Sequence, residues 1–138
     1  MKKEYGKAIA DMQVWLDTYT TSKVVLTRQG INDFYGNIAY YTPQKPTVKK
    51  ELHPDFTVEA GIQENMIHFI LHARRILTLH EGLRWGDIKR YGITIYRRTV
   101  EKQNITVTDE MKPGDPRRAL QIPNTVIGAG LTPNPRNK

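Results

Sequence analysis

The side chains best suited to chemistry are two histidines on one predicted helix face. His68 and His72 lie four residues apart, with Glu64 one turn earlier, a spacing that could place three zinc ligands on one face. The competing interpretation is a half-exposed polar stripe on an otherwise buried helix. His80-Glu81 lacks the second histidine of an HExxH site. We favour the polar stripe on a buried helix, so we predict no metal site and expect no cofactor.

The sequence offers little for other kinds of catalysis. It contains no cysteine, and its one serine, Ser22, follows a predicted helix without a GxSxG pattern. Neither GxGxxG nor GxxxxGK[ST] occurs, so no phosphate-binding loop is indicated. Carboxylates paired as a general acid and base on one element are also absent. The sequence therefore predicts a protein that is not an enzyme.

Length and composition indicate one globular domain over residues 1–138. The chain has a mass of 15.9 kDa and is 38% hydrophobic and 25% charged, which is ordinary for a folded domain. No apolar run approaches the roughly 20 residues that span a bilayer, so we expect no transmembrane segment. The first twelve residues have no apolar stretch typical of a signal peptide.

The net charge of +7 is unevenly distributed. Residues 1–83 hold 10 basic and 9 acidic side chains, whereas residues 84–138 hold 11 and 5. Such a surplus can mark a face that binds a polyanion. The basic residues do not follow one helix face or an aromatic-interleaved strand, so a nucleic-acid partner is disfavoured. A basic helical module that binds a protein or polyanion, with no sugar ligand, stays as the alternative.

The hydrophobic pattern predicts a mainly α fold. Apolar residues recur at helical spacing before residue 20, and again from Ile62 to Leu77. Gly82 and Gly92 stand where helices would end. The alternation after Gly92 is typical of a hairpin. The predicted elements are helices at about 4–20, 28–36, 57–81 and 83–91, a β-hairpin at about 93–108, and a long irregular Pro/Gly-rich segment over 112–138.

Charged residues concentrate around the junction of the last two predicted helices. Glu81, Arg84 and Asp87 lie near Gly82 within reach of one another and of Arg74. Buried arginines need carboxylate or carbonyl partners, so we expect an ion network that fixes the angle between the helices. We expect Trp85 to pack beneath that network.

The same stretch resembles the C-terminal signature of the SusD/RagB family, glycan-binding outer-membrane lipoproteins of Bacteroidetes. A basic-rich helix carrying Arg74-Arg75 is followed by EGLRW at 81–85 and DIKRYG at 87–92. Ile122-Pro123 and then Asn134-Pro135 resemble the end of that family's sequences. The resemblance covers most of the chain from about residue 7. Family members are several times longer, so the chain resembles their C-terminal portion only.

The resemblance implies part of a SusD-like helical, tetratricopeptide-containing fold. It implies capture of an oligosaccharide or another nutrient at the outer-membrane surface, for delivery to a SusC-like TonB-dependent transporter. The family's signal peptide and lipidated cysteine are not seen in these residues. Sugar capture uses aromatic faces, and Tyr40 and Tyr41 are the aromatic pair expected to be exposed, in a proline-rich loop. They are our candidate ligand-binding residues, with anchoring of the loop as the alternative.

Overall fold

The computed structural model describes residues 3–21, 23–102 and 104–136. Within these ranges the chain forms five α-helices and one two-stranded antiparallel sheet. The elements in chain order are α1 (Tyr5–Tyr19), α2 (Arg28–Gly36), α3 (Ile62–Leu77), α4 (Arg84–Arg90), β1 (Ile95–Glu101), β2 (Asn104–Met111) and α5 (Asn124–Gly128). The expected combination of helices with a small hairpin is confirmed.

The first two helices lie where the sequence predicts them. α1 ends where the Thr20 backbone turns to an extended conformation, in a run of threonines that compete with helical hydrogen bonds. Thr27 caps the start of α2, since its hydroxyl accepts a hydrogen bond from the Gly30 amide at 3.0 Å. This bond satisfies one of the amides that a helix start leaves free. Local capping chemistry therefore sets these boundaries.

The third helix is shorter than predicted. The expectation was a helix over 57–81, but α3 spans only Ile62–Leu77. Residues 57–59 have no regular structure, and the Glu59 amide donates to the Gln63 side chain at 2.6 Å. At the other end the Thr78 hydroxyl donates to the Arg74 carbonyl at 2.8 Å, and the helix stops there. The stop therefore comes before Gly82, which lies in the connection to α4.

The core has two parts, and α3 contributes to both. One face of α3 packs on α2, and the neighbouring face packs on Ile93. Polar contacts reinforce the first interface, since the Asn65 amide donates to the side chain of Asn32 at 3.0 Å. The two clusters of buried residues are Ile31, Tyr35 and Met66, and Ile67, Leu71 and Ile93.

The hairpin is displaced from its predicted bounds of 93–108. Its strands run from Ile95 to Glu101 and from Asn104 to Met111, with an irregularity in the register between Arg97 and Arg98. The fourth helix, predicted over 83–91, is α4 over Arg84–Arg90.

The C-terminal segment is more ordered than the irregular tail that we predicted. It contains a 3-10 turn over Pro116–Arg118 and the short helix α5. The Arg118 guanidinium is buried and donates to the carbonyls of Ile88, Ile93 and Met111. One side chain thus joins the tail to α4, to the start of β1 and to the end of β2.

Within the described ranges, no helix combines the length and hydrophobicity needed to cross a bilayer.

Candidate functional site

The two tyrosines predicted to bind ligand have different environments. The Tyr40 hydroxyl donates a hydrogen bond to a carboxylate oxygen of Glu64 on α3. Lys49 Nζ lies 4.6 Å from the centre of the Tyr40 ring, and the His68 ring meets it edge-on at 6.2 Å. Burial and the Glu64 carboxylate raise the pKa of Tyr40 to about 12. Although Tyr40 is 37% exposed, it is fastened to α3, and its geometry is that of a loop anchor.

Tyr41, in contrast, lines a groove. Its ring is nearly parallel to that of Tyr96 on β1, with an angle of 24° and a centroid separation of 6.0 Å. The Tyr41 amide donates to the Lys49 carbonyl at 2.7 Å, which fixes the backbone on one side of the groove. The groove has a volume of about 140 Å³. Its lining residues are Tyr41, Thr42, Pro43, Lys50, Glu51, Ile93, Thr94 and Tyr96.

Lys50, which lines this groove, lies close to several other cations. Lys50 Nζ lies 2.8 Å from the centre of the Tyr41 ring. Burial, then Arg75, Arg84 and Arg98, lower the pKa of Lys50 to about 7 from its ordinary 10.5. The three arginines come from α3, α4 and β1, so the tertiary structure alone brings them to one lysine. We call Lys50, Arg75, Arg84 and Arg98 the cationic cluster.

The predicted ion network at the helix junction forms only in part. Arg74 and Asp87 make the expected pair, with Arg74 Nη2 3.2 Å from Asp87 Oδ1. Glu81 is exposed, and its carboxylate forms no ion pair with any residue that the structure describes. Trp85, expected beneath the network, is 38% exposed. The reason is the early end of α3 at Leu77, after which residues 79–83 are exposed.

Arg84 is the member of the predicted network with the most unusual position. Its Nη1 atom is buried and has no hydrogen-bond partner among the described residues. Burial and Arg75 lower its pKa, while Asp87 acts in the opposite direction. Asp87 is itself paired with Arg74, and Arg84 forms no ion pair with a described residue. The expectation of a complete network around Arg84 is wrong.

The histidine stripe is buried more deeply than predicted. His68 is 2% exposed and lies 3.5 Å from a Glu64 oxygen, and burial lowers its pKa. His72 Nδ1 is 3.0 Å from the Tyr35 hydroxyl on α2, and burial again lowers its pKa. The two rings therefore serve contacts to different elements. Across residues 3–21, 23–102 and 104–136, no three histidine or acidic side chains are grouped as metal ligands.

Two residues of the groove were not singled out from the sequence. In the sequence, Tyr96 lies in an alternating strand pattern, and Lys50 is half of a basic pair with Lys49. Lys49 is buried and donates to the Tyr35 carbonyl at 2.9 Å, whereas its neighbour faces the groove. If successive side chains of this loop alternate between the interior and the surface, Lys49 and Lys50 point in opposite directions. Nothing local indicates that Tyr96 meets Tyr41, because 54 intervening residues separate them.

No protein-family model, curated protein or solved structure matches the chain. The resemblance to SusD/RagB proteins therefore depends on sequence motifs alone.

Proposed function

We propose that the protein binds an oligosaccharide or another nutrient without transforming it. In this proposal it acts at the outer-membrane surface, as part of a SusD-like fold, and delivers its ligand to a SusC-like transporter. The observation that carries the proposal is the groove bounded by the near-parallel rings of Tyr41 and Tyr96. Aromatic rings offer apolar faces, and a few polar groups beside them fix a ligand's orientation.

The size and lining of the groove support a saccharide ligand. Its volume of about 140 Å³ is below the roughly 300–1,000 Å³ of pockets that enclose a drug-sized molecule. One sugar unit at the end of a chain is therefore a better fit than an enclosed oligosaccharide. Thr42 and Thr94 supply hydroxyls, and Glu51 supplies a carboxylate, at the same groove. Such groups can donate to or accept from sugar hydroxyls.

A glycan array followed by calorimetry on the glycans that bind tests the proposal. We expect Tyr41→Ala and Tyr96→Ala each to weaken binding about tenfold, which corresponds to about 1.4 kcal/mol. Tyr19→Ala is the matched control, since Tyr19 is an exposed tyrosine on α1 and does not line the groove. Binding that persists in both groove variants would contradict the assignment. Release of reducing sugar by the pure protein would contradict a non-catalytic role.

The alternative, a basic module for a protein or polyanion, has its own signature. Retention on heparin or DNA would weaken steeply with salt and would not depend on Tyr41 or Tyr96. Retention of that kind, with no glycan bound on the array, would favour the alternative.

A further inference from the structure

The cationic cluster is not neutralised by the carboxylates around it. Asp87 pairs with Arg74, and Glu64 accepts from Tyr40. Glu51 lines the groove but is exposed, with one oxygen 3.6 Å from a nitrogen of His53. Like charges at close range repel, and burial strengthens that repulsion. Asp87 lies near enough to raise the pKa of Arg84, but its ion pair is with Arg74. Lys50, Arg75 and Arg84 therefore form no ion pair with any residue that the structure describes.

Arg84 gives a second indication that this site can accept a ligand, because one of its donors has no acceptor among the described residues. A guanidinium presents five N–H donors, and Nη1 of Arg84 is buried without an acceptor among the described residues. Buried donors are almost always paired, because leaving one unpaired is unfavourable. An acceptor supplied by a ligand would satisfy this donor. It would also reduce the repulsion among Lys50, Arg75 and Arg84.

The shape of the site indicates how such an acceptor enters. A pocket of about 10 Å³, the space of about one water molecule, is lined by Lys50, His72, Arg75 and Arg84. Lys50 and Ile93 line both this pocket and the 140 Å³ groove. One oxygen atom of a ligand fits the pocket while the rest of the ligand occupies the groove.

We propose that Lys50, Arg75 and Arg84 bind an oxyanion, a carboxylate or sulfate group, with one oxygen in the small pocket. Carried by a sugar in the groove, this group makes the ligand an acidic saccharide. To that extent the inference rests on the proposed function and narrows its substrate class. A free inorganic oxyanion offers the same chemistry. Arginine is well suited to either, since its planar donors match the oxygens of both groups.

Two measurements at pH 6.5 and constant ionic strength test this proposal. The first compares acidic glycans with their neutral counterparts on an array. The second measures thermal stabilisation by sodium sulfate against sodium chloride. We expect acidic glycans to bind at least about tenfold more tightly than neutral ones, and sulfate to raise the melting temperature. Both effects should be lost in Lys50→Gln and in Arg84→Met.

Matched controls come from α4, where Lys89→Gln and Arg90→Met make the same charge changes outside the cationic cluster. Both controls should bind like the wild type. Lys50→Arg keeps the positive charge and should retain the binding that Lys50→Gln loses, which separates charge recognition from damage to the fold. Urea melts of every variant confirm that each is folded.

The outcomes separate this inference from the proposed function. Sulfate binding that needs Arg84, with no glycan bound, supports the oxyanion site with a free anion as its source and contradicts the saccharide function. Equal binding of acidic and neutral glycans that is unchanged in Lys50→Gln supports the proposed function and overturns the oxyanion site. Absence of both sulfate and acidic-glycan binding overturns the inference as well.

Discussion

Gly92 is the glycine at which one added methyl group should lower the stability of the fold most. It follows α4 with φ of +58° and immediately precedes Ile93, a buried residue that lines the groove. A Cβ atom here would lie 2.0 Å from the carbonyl oxygen of His53, far inside contact distance. The obstructing atom belongs to the backbone, so no side-chain rotation relieves the overlap. We therefore predict that Gly92→Ala strongly destabilises the protein.

The magnitude follows from three costs. A non-glycine residue in the left-handed region costs about 1–2 kcal/mol. Separating Gly92 from His53 also stretches the hydrogen bond from the His53 amide to the Tyr91 carbonyl, now 2.8 Å, worth about 0.5–1.5 kcal/mol. Disturbed packing of buried Ile93 adds to these terms. We expect a total loss of about 3 kcal/mol or more in the free energy of unfolding.

Two other glycines isolate the terms in the same urea-melt assay. Gly82 has φ of +70°, and no atom lies within 4 Å of the point that an added Cβ would occupy. Gly82→Ala therefore carries only the conformational cost of about 1–2 kcal/mol. Gly86 lies inside α4 with open space around it, so Gly86→Ala should stabilise by about 0.5–1 kcal/mol. If Gly92→Ala costs no more than Gly82→Ala, the contact with His53 is unimportant and the reasoning fails.

Three further predictions use the same melts. Arg118→Ala should lower the free energy of unfolding by about 3 kcal/mol, because three carbonyls lose their donor. Arg90 is exposed, so Arg90→Ala should change it by no more than about 0.5 kcal/mol. Equal losses in the two variants would refute this prediction. Trp85→Ala should cost about 1 kcal/mol, below the roughly 3–5 kcal/mol of a buried aromatic, because Trp85 is 38% exposed; a loss above about 3 kcal/mol would show that it is core. The unfolded chain keeps the ordinary pKa of Lys50, 10.5, while the folded value is about 7. The free energy of unfolding should therefore rise between pH 7 and pH 10.5. The rise is at most about 1.4 kcal/mol per pH unit, and less for a half-buried group that solvent screens. The same pH dependence in Lys50→Met as in the wild type would contradict this prediction.

The sequence by itself determined the elements whose signals are local. Helical spacing of apolar residues predicted α1 and α2, because amphipathic burial is encoded within a few residues. Alternation predicted the hairpin for the same reason, although its bounds moved by a few residues. The Arg74–Asp87 pair was also foreseeable, since both residues lie beside one helix junction.

Only the tertiary structure decided which polar side chains are buried and which face the groove. His68 belongs to a stripe that looks half-exposed in sequence, yet it is buried on α3 with the Tyr40 ring against it. Tyr40 and Tyr41 are adjacent, but one is fastened to Glu64 and the other meets Tyr96.

The cationic cluster has the same origin. Lys50 and Arg84 are far apart in the chain, and neither has a local pattern that reports the other. Their mutual repulsion exists only in the folded chain, which brings the loop that carries Lys50 close to Arg84 on α4. Charges interact through space, and burial strengthens that interaction.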